Sequence, residues 1–122
     1  ELWLDGGHNA AAGIVLGQVA RGWQDRPLFL VAGMLDSKDA GAFFQPLGPY
    51  VQQIQTIAIP DEEASMTAEQ TAAAAISRNA RAVPAGSMAE AVSRIVAGSP
   101  EPARILICGS LYLAGRVLAD HS

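Results

Sequence analysis

The 122-residue chain is half hydrophobic, 16% charged and carries a formal net charge of −4, a length and balance that suit one compact domain with its own core. Its eight Lys and Arg are scattered rather than clustered, which argues against nucleic acid or a membrane surface as the main partner. Aromatics make up only 6%, so small aliphatic residues must fill the core, and thin helices packed closely on a sheet would do so.

The chain opens on an apolar run from Leu2 to Asp5 that stops at Gly6-Gly7. It has no basic end before an apolar stretch and so does not read as a signal peptide. Opening directly on a strand suggests a piece cut from something larger. From Asn9, a plausible N-cap, a helix is expected to Gly22, with Ile14, Leu16, Val19 and Trp23 on one face and Val15 beside it. Leu28 to Gly33 (LFLVAG) is a continuous apolar run, the pattern of a strand covered on both faces. The polar loop Asp36-Ser37-Lys38-Asp39 follows. Next comes a short helix with Phe43, Phe44 and Leu47 inward, its end made irregular by Pro46, Gly48 and Pro49.

Ile54 to Ile59 reads as the next strand, stopped by Pro60 and followed by an acidic loop from Asp61 to Met66. Thr67 with Gln70 forms a capping box that opens an Ala-rich helix to about Asn79. Arg81 to Pro84 is a brief strand. Ser87 with Glu90 is a second capping box, leading into Ala91, Val92, Ile95 and Val96 before Gly98 closes the helix. After a turn from Ser99 to Pro102, Arg104 to Cys108 is a strong strand. Cys108, the single cysteine, excludes an internal disulfide and reads as a buried small hydrophobe, since no local base would activate it as a nucleophile. Ser110 can cap a last helix with Leu111, Leu113, Val117 and Leu118 near its core face. No stretch is long enough to span a bilayer. Strands and helices that alternate in this way specify a single α/β domain, 1–122, with a mostly parallel, Rossmann-like sheet flanked by helices.

Ligands gather at the carboxyl ends of parallel strands, and three ends here carry unusual residues: Asp5 to Asn9, Gly33 to Lys38, and Gly109 to Tyr112. The strands run in one direction, so these loops are expected on one edge. The glycines after Asp5 let the backbone turn sharply beside a ligand, where a carboxylate can accept from ribose hydroxyls and the helix start offers N–H groups to an anion. A plain strand-to-helix turn, with Asp5 and Asn9 capping amides, fits the same residues. His8 can donate to a carboxylate or phosphate, although a loop histidine is more often solvated. His121 lies two residues from the end and is expected to fray. Lys38 offers a point charge to an anion, or pairs with Asp36 or Asp39. Ser110 is either an N-cap or a hydroxyl presented with helix N-terminal amides. The chain contains no G-x-x-x-x-G-K-[ST], no G-x-G-x-x-G at its first helix and no zinc-ligand spacing.

Together the three loops resemble a known family. LDGGHN (4–9) is similar to the LDGAHN that opens the C-terminal domain of folylpolyglutamate and dihydrofolate synthases, in the Mur ligase superfamily. GMLDSKD (33–39) resembles that family's GM-x-x-DKD, and ICGSLYLAGRVL (107–118) its CGSLYL and following apolar helix. Order and spacing agree over nearly the whole chain. Gly7 replaces the usual alanine, and Ala10 stands where a proline often follows Asn, which loosens the helix start.

The resemblance implies a domain of the Mur ligase C-terminal type within a larger cytoplasmic ligase. A preceding N-terminal ATPase domain would carry the phosphate-binding loop and the Mg2+ ligands, with ATP between the two domains. Asp5 would contact the ATP ribose, and His8, Ser110 and Lys38 would lie near the incoming L-glutamate. The reaction would activate a folate or pteroate carboxylate as an acyl phosphate, with no nucleophile or general base and no metal ligand from this chain. Two alternatives are a Mur-type peptidoglycan amino-acid ligase and a stand-alone, non-catalytic α/β binding domain.

Overall fold

The computed structural model describes residues 2–35 apart from 5–9, then 39–99 and 102–109, with the backbone alone at 2–4. Five strands, β1 (Leu2–Leu4), β2 (Leu28–Gly33), β3 (Gln53–Thr56), β4 (Ala82–Pro84) and β5 (Arg104–Gly109), alternate with four helices, α1 (Ala10–Gly22), α2 (Ala40–Phe44), α3 (Ala68–Ile76) and α4 (Met88–Gly98). All strand pairs are parallel and the order is β1-β5-β2-β3-β4. The expected parallel α/β sheet is therefore what forms.

The two central strands are the apolar runs. Every residue of β5 is buried, as is every residue of β2 except the half-buried Phe29. Alternation divides their side chains between two layers. Leu28, Leu30, Ala32, Leu106 and Cys108 meet Leu16 and Ala20 of α1, Phe43 and Phe44 of α2, and Ala75 of α3. Val31, Ile105 and Ile107 meet Ala91 and Ile95 of α4 on the opposite face. Phe43, Phe44 and Leu47 are fully buried, as expected, and the two rings pack edge to face at 5.2 Å.

Sequence pattern and packing part company on α1. Its buried face is Gly13, Leu16, Gly17 and Ala20, whereas Ile14 and Val15 are 55% and 58% exposed and Val19 is 37% exposed. A Cβ on Gly13 would collide with the Phe43 carbonyl oxygen, and one on Gly17 would lie 2.8 Å from that of Pro46. Two glycines one turn apart let the backbones of α1 and the α2 region touch, and this contact outweighs the burial of β-branched side chains. Trp23 is half-buried against the same layer, with the Arg104 guanidinium 4.9 Å above its ring and Arg104 paired to Asp25 at 3.2 Å.

The helix caps follow the sequence closely. Thr67 Oγ1 accepts from Gln70 N–H at 3.0 Å and Gln70 Oε1 from Thr67 N–H at 2.9 Å. α3 ends at Ile76, and Asn79 takes φ 66°, with Ala80 N–H returning to Ala75 O at 3.2 Å. This is the left-handed C-terminal stop that asparagine tolerates. Ser87 caps α4 by accepting from Glu90 N–H at 3.1 Å, but Glu90 reaches back one residue further than a capping box requires, to Gly86 N–H at 2.6 Å. Val96, expected inward, is 63% exposed, because α4 turns only Ala91 and Ile95 fully into the core. β3 stops at Thr56 rather than Ile59: Ile57 N–H still bonds Ala32 O at 2.9 Å, but the chain then leaves the sheet.

Candidate functional site

The return through α4 inserts β5 between β1 and β2. Leu4 pairs with Ile107, and Gly33 with Gly109. Three neighbouring parallel strands therefore end side by side, and each leads directly into one of the three unusual loops. At the middle of this carboxyl edge Gly109 has φ 119°, and a Cβ there would fall on the Gly33 carbonyl oxygen. Only glycine fits both the dihedral and the contact, so β2 and β5 leave the sheet with bare backbone at their paired ends, Gly33 and Gly109.

A fourth segment folds onto this edge, the connection from β3 to α3. Met66 N–H donates to Met34 O at 2.9 Å, and Leu35 and Ser65 form an antiparallel bridge. The Ser65 hydroxyl accepts from Ile59 N–H and donates to Met66 O, both at 2.8 Å. The exit of β2 is thus fixed by its neighbour's connection. Past the polar loop, Asp39 Oδ1 accepts from Ala42 N–H at 3.0 Å and caps α2. An open cavity of about 490 Å³ lies beside it, lined by residues that include Asp39, Gly41, Met66, Gln70, Ser77 and Arg78. Arg78 bonds Gln45 Oε1 over α2, and Gly41 leaves room for that guanidinium.

The four residues singled out from sequence, Asp5, His8, Lys38 and Ser110, lie outside the described residues, as do Asn9 and His121. The structure describes the strand ends before Asp5, Lys38 and Ser110, the first residue of the helix that follows His8, and the β2 and α2 anchors on either side of Asp36–Lys38. Buried Cys108 faces the α1–α3 layer. Sequence reasoning takes the strand to Ile59 and reads Asp61 to Met66 as an acidic loop, and it gives Ser65, which carries no motif, no role. The only available signal was Ile57 and Ile59 in a run too short of partners to remain a strand. Among the described residues, no three His, Cys, Asp or Glu are grouped to hold a metal ion, and no helix is long and apolar enough to cross a membrane.

The family model described as "Mur ligase, glutamate ligase domain" matches residues 1–111. The chain belongs to the Mur ligase glutamate ligase domain family. Solved structures similar to this Mur ligase domain include Mycobacterium tuberculosis folylpolyglutamate synthase complexed with ADP, at 24% identity and TM-score 0.84, covering 97% of this chain and 29% of that one. A second structure of that enzyme, with ADP and AMPPCP, matches at 25% identity and TM-score 0.84, again over 97% and 29% of the two chains. E. coli FolC in complex with DHPP and ADP is similar at 23% identity and TM-score 0.80, over 97% and 28%. The Mur ligase domain thus spans under a third of the length of these solved relatives. No curated protein matches the sequence.

Proposed function

We propose that this chain is the C-terminal domain of an ATP-dependent folate:glutamate ligase, acting as a folylpolyglutamate synthase, a dihydrofolate synthase or both. The observation that carries this reading is the adjacency of β1, β5 and β2, whose ends lead into LDGGHN, CGSLYL and GMLDSKD. The structural neighbours add weight: M. tuberculosis folylpolyglutamate synthase and E. coli FolC, which share the fold, were each crystallised with ADP, and a bifunctional folylpolyglutamate synthase/dihydrofolate synthase with Mn, AMPPNP and L-glutamate.

In this reading a preceding domain holds the ATP phosphates and Mg2+, and the present domain closes over them. Asp5 accepts from the ribose hydroxyls. His8, Lys38 and the helix start at Ser110 take the carboxylates of L-glutamate, which are anions suited to a cation and to free N–H groups. The folate or pteroate carboxylate attacks the γ-phosphorus of ATP, giving an acyl phosphate and ADP. The glutamate amine then attacks the acyl carbon, inorganic phosphate leaves and the amine gives up a proton. Water would hydrolyse the acyl phosphate, so closure that excludes solvent has a chemical purpose. The domain supplies position rather than a nucleophile, a contribution that reaches several orders of magnitude in rate.

Two experiments test this. Asp5→Ala in the full-length protein is expected to raise the KM for ATP about ten-fold, the worth of one charge-assisted hydrogen bond; an unchanged KM contradicts the ribose role. The 122 residues alone are expected to show no ATP-dependent glutamate ligation, and measurable turnover would refute the assignment as a partial site.

A further inference from the structure

We propose that the cleft between α2 and α3 is a subsite for a glutamyl unit already attached to the acceptor, with Arg78 holding its carboxylate; this deepens the folate:glutamate reading above and rests on it. A ligase that joins glutamate to a carboxylate makes a product with new carboxylates, so that product can return as an acceptor. The glutamyl units already added must then leave the reacting edge along some surface. The open cavity of about 490 Å³ offers one. One end lies at the carboxyl edge, where Asp39 closes the 33–39 motif and Met66 N–H bonds Met34 O at 2.9 Å. From there it follows one face of α3 from Gln70 to Ser77, a wall roughly 10 Å long at the rise of a helix, with Arg78 beyond. Gly41 of α2 lines the other side with no side chain to fill the gap.

The polar groups of the cleft fit this ligand. Arg78 is half-buried. Its guanidinium bonds the neutral Gln45 Oε1 and packs over Gly41, where a Cβ would lie 2.9 Å from Nε. Among the described residues it forms no ion pair. A guanidinium carries five N–H donors in a planar fork that matches a carboxylate, so the bond to Gln45 orients the group and leaves donors over. Asp39 accepts from Ala42 N–H through Oδ1 at 3.0 Å and keeps a second oxygen for a ligand N–H. Gln70 uses Oε1 on Thr67 N–H and keeps its amide N–H groups, while Ser77 donates to Ala74 O at 2.7 Å and keeps its lone pairs. A glutamyl unit has an amide N–H and a free carboxylate a few bonds apart, which suits a carboxylate at the edge end and a cation farther along. A simple anion would gain nothing from Asp39 and be repelled by it. Arg78 also stands just past the last turn of α3, where the helix dipole favours a cation with or without a ligand; a difference between acceptors separates that structural role from binding.

The test is steady-state kinetics on the full-length protein with ATP, Mg2+ and L-glutamate, comparing a pteroate acceptor with its glutamylated forms. Arg78→Ala is expected to raise the KM for a glutamylated acceptor about ten-fold, the effect of one charge-assisted hydrogen bond, with kcat and the KM values for pteroate, ATP and L-glutamate within about two-fold. Gly41→Ala suits a helix but displaces the guanidinium. It should act in the same direction, which keeps the proposal testable if Arg78→Ala lowers stability. Arg81→Ala, exposed beside β4, is the control and should leave every KM unchanged. An equal rise for all acceptors, no rise in either variant, or a wild-type protein that uses pteroate but no glutamylated acceptor overturns the subsite while leaving the folate:glutamate reading intact. If the wild-type protein shows no glutamate-dependent turnover with any pteroate or folate acceptor, that reading itself falls and the subsite with it.

Discussion

Gly109 is the residue on which the carboxyl edge depends most. Its φ of 119° and its contact with the Gly33 carbonyl leave no room for a methyl group, so Gly109→Ala is expected to destabilise the domain by about 3 kcal/mol, combining backbone strain and overpacking. Gly98 gives the contrast. A Cβ there meets nothing within 4 Å, and Gly98→Ala should be neutral or stabilising by about 0.5 kcal/mol. Urea denaturation of the two variants checks both signs. Thr67 is a third test at this scale, since its side chain accepts from Gln70 N–H and Thr67→Ala should cost about 1 kcal/mol. Such residues were legible to different degrees. Thr67 and Gln70 announce a capping box by spacing alone, whereas the need for glycine at 109 comes from a neighbour 76 positions away in the chain, Gly33.

At the scale of elements, α1 shows where periodicity fails. The helix is apolar on both sides, so Ile14, Val15 and Val19 satisfy a helical stripe as well as Leu16 and Ala20 do. Hydrophobicity could not choose between them. The choice was made by size: Gly13 and Gly17 permit a backbone contact with the Phe43 and Pro46 carbonyls that no larger residue allows. Gly13→Ala is therefore expected to destabilise the fold by roughly 2 kcal/mol, and Leu16→Ala by about 2–3 kcal/mol. Val15→Lys, on the exposed side, should stay within about 0.5 kcal/mol. Equal losses for Val15→Lys and Leu16→Ala in chemical denaturation would reverse the assignment of faces. The strands were easier to read, because LFLVAG and RILICG are uninterrupted apolar runs. Their order was not, since nothing local says that the last strand enters between the first two.

For the whole molecule, that order is what turns three separate motifs into one candidate site. β1, β5 and β2 are adjacent and parallel, so motifs at positions 4–9, 33–39 and 107–118 leave from neighbouring points on one edge. The spacing of the motifs was visible in the chain, and so was their strand-end character. Strand direction already put them on one edge; that their three strands are neighbours was not visible, and neither was the support that β2's exit receives from the 57–66 connection, whose bonds to Met34 and Leu35 are made by backbone. Family membership and the shared fold make a ligase domain; the folate acceptor and glutamate donor are the central proposal. The most direct measurement is ADP release by the full-length protein with ATP, Mg2+ and L-glutamate, comparing pteroate-type and reduced folate acceptors with nucleotide-sugar acceptors. Glutamate-dependent ADP release with a pteroate or folate acceptor, at least about a hundred-fold faster than with a nucleotide sugar, is the predicted result, because a site built for one acceptor's polar groups rejects another strongly. Turnover with the nucleotide sugar alone, or none that depends on glutamate, would contradict it.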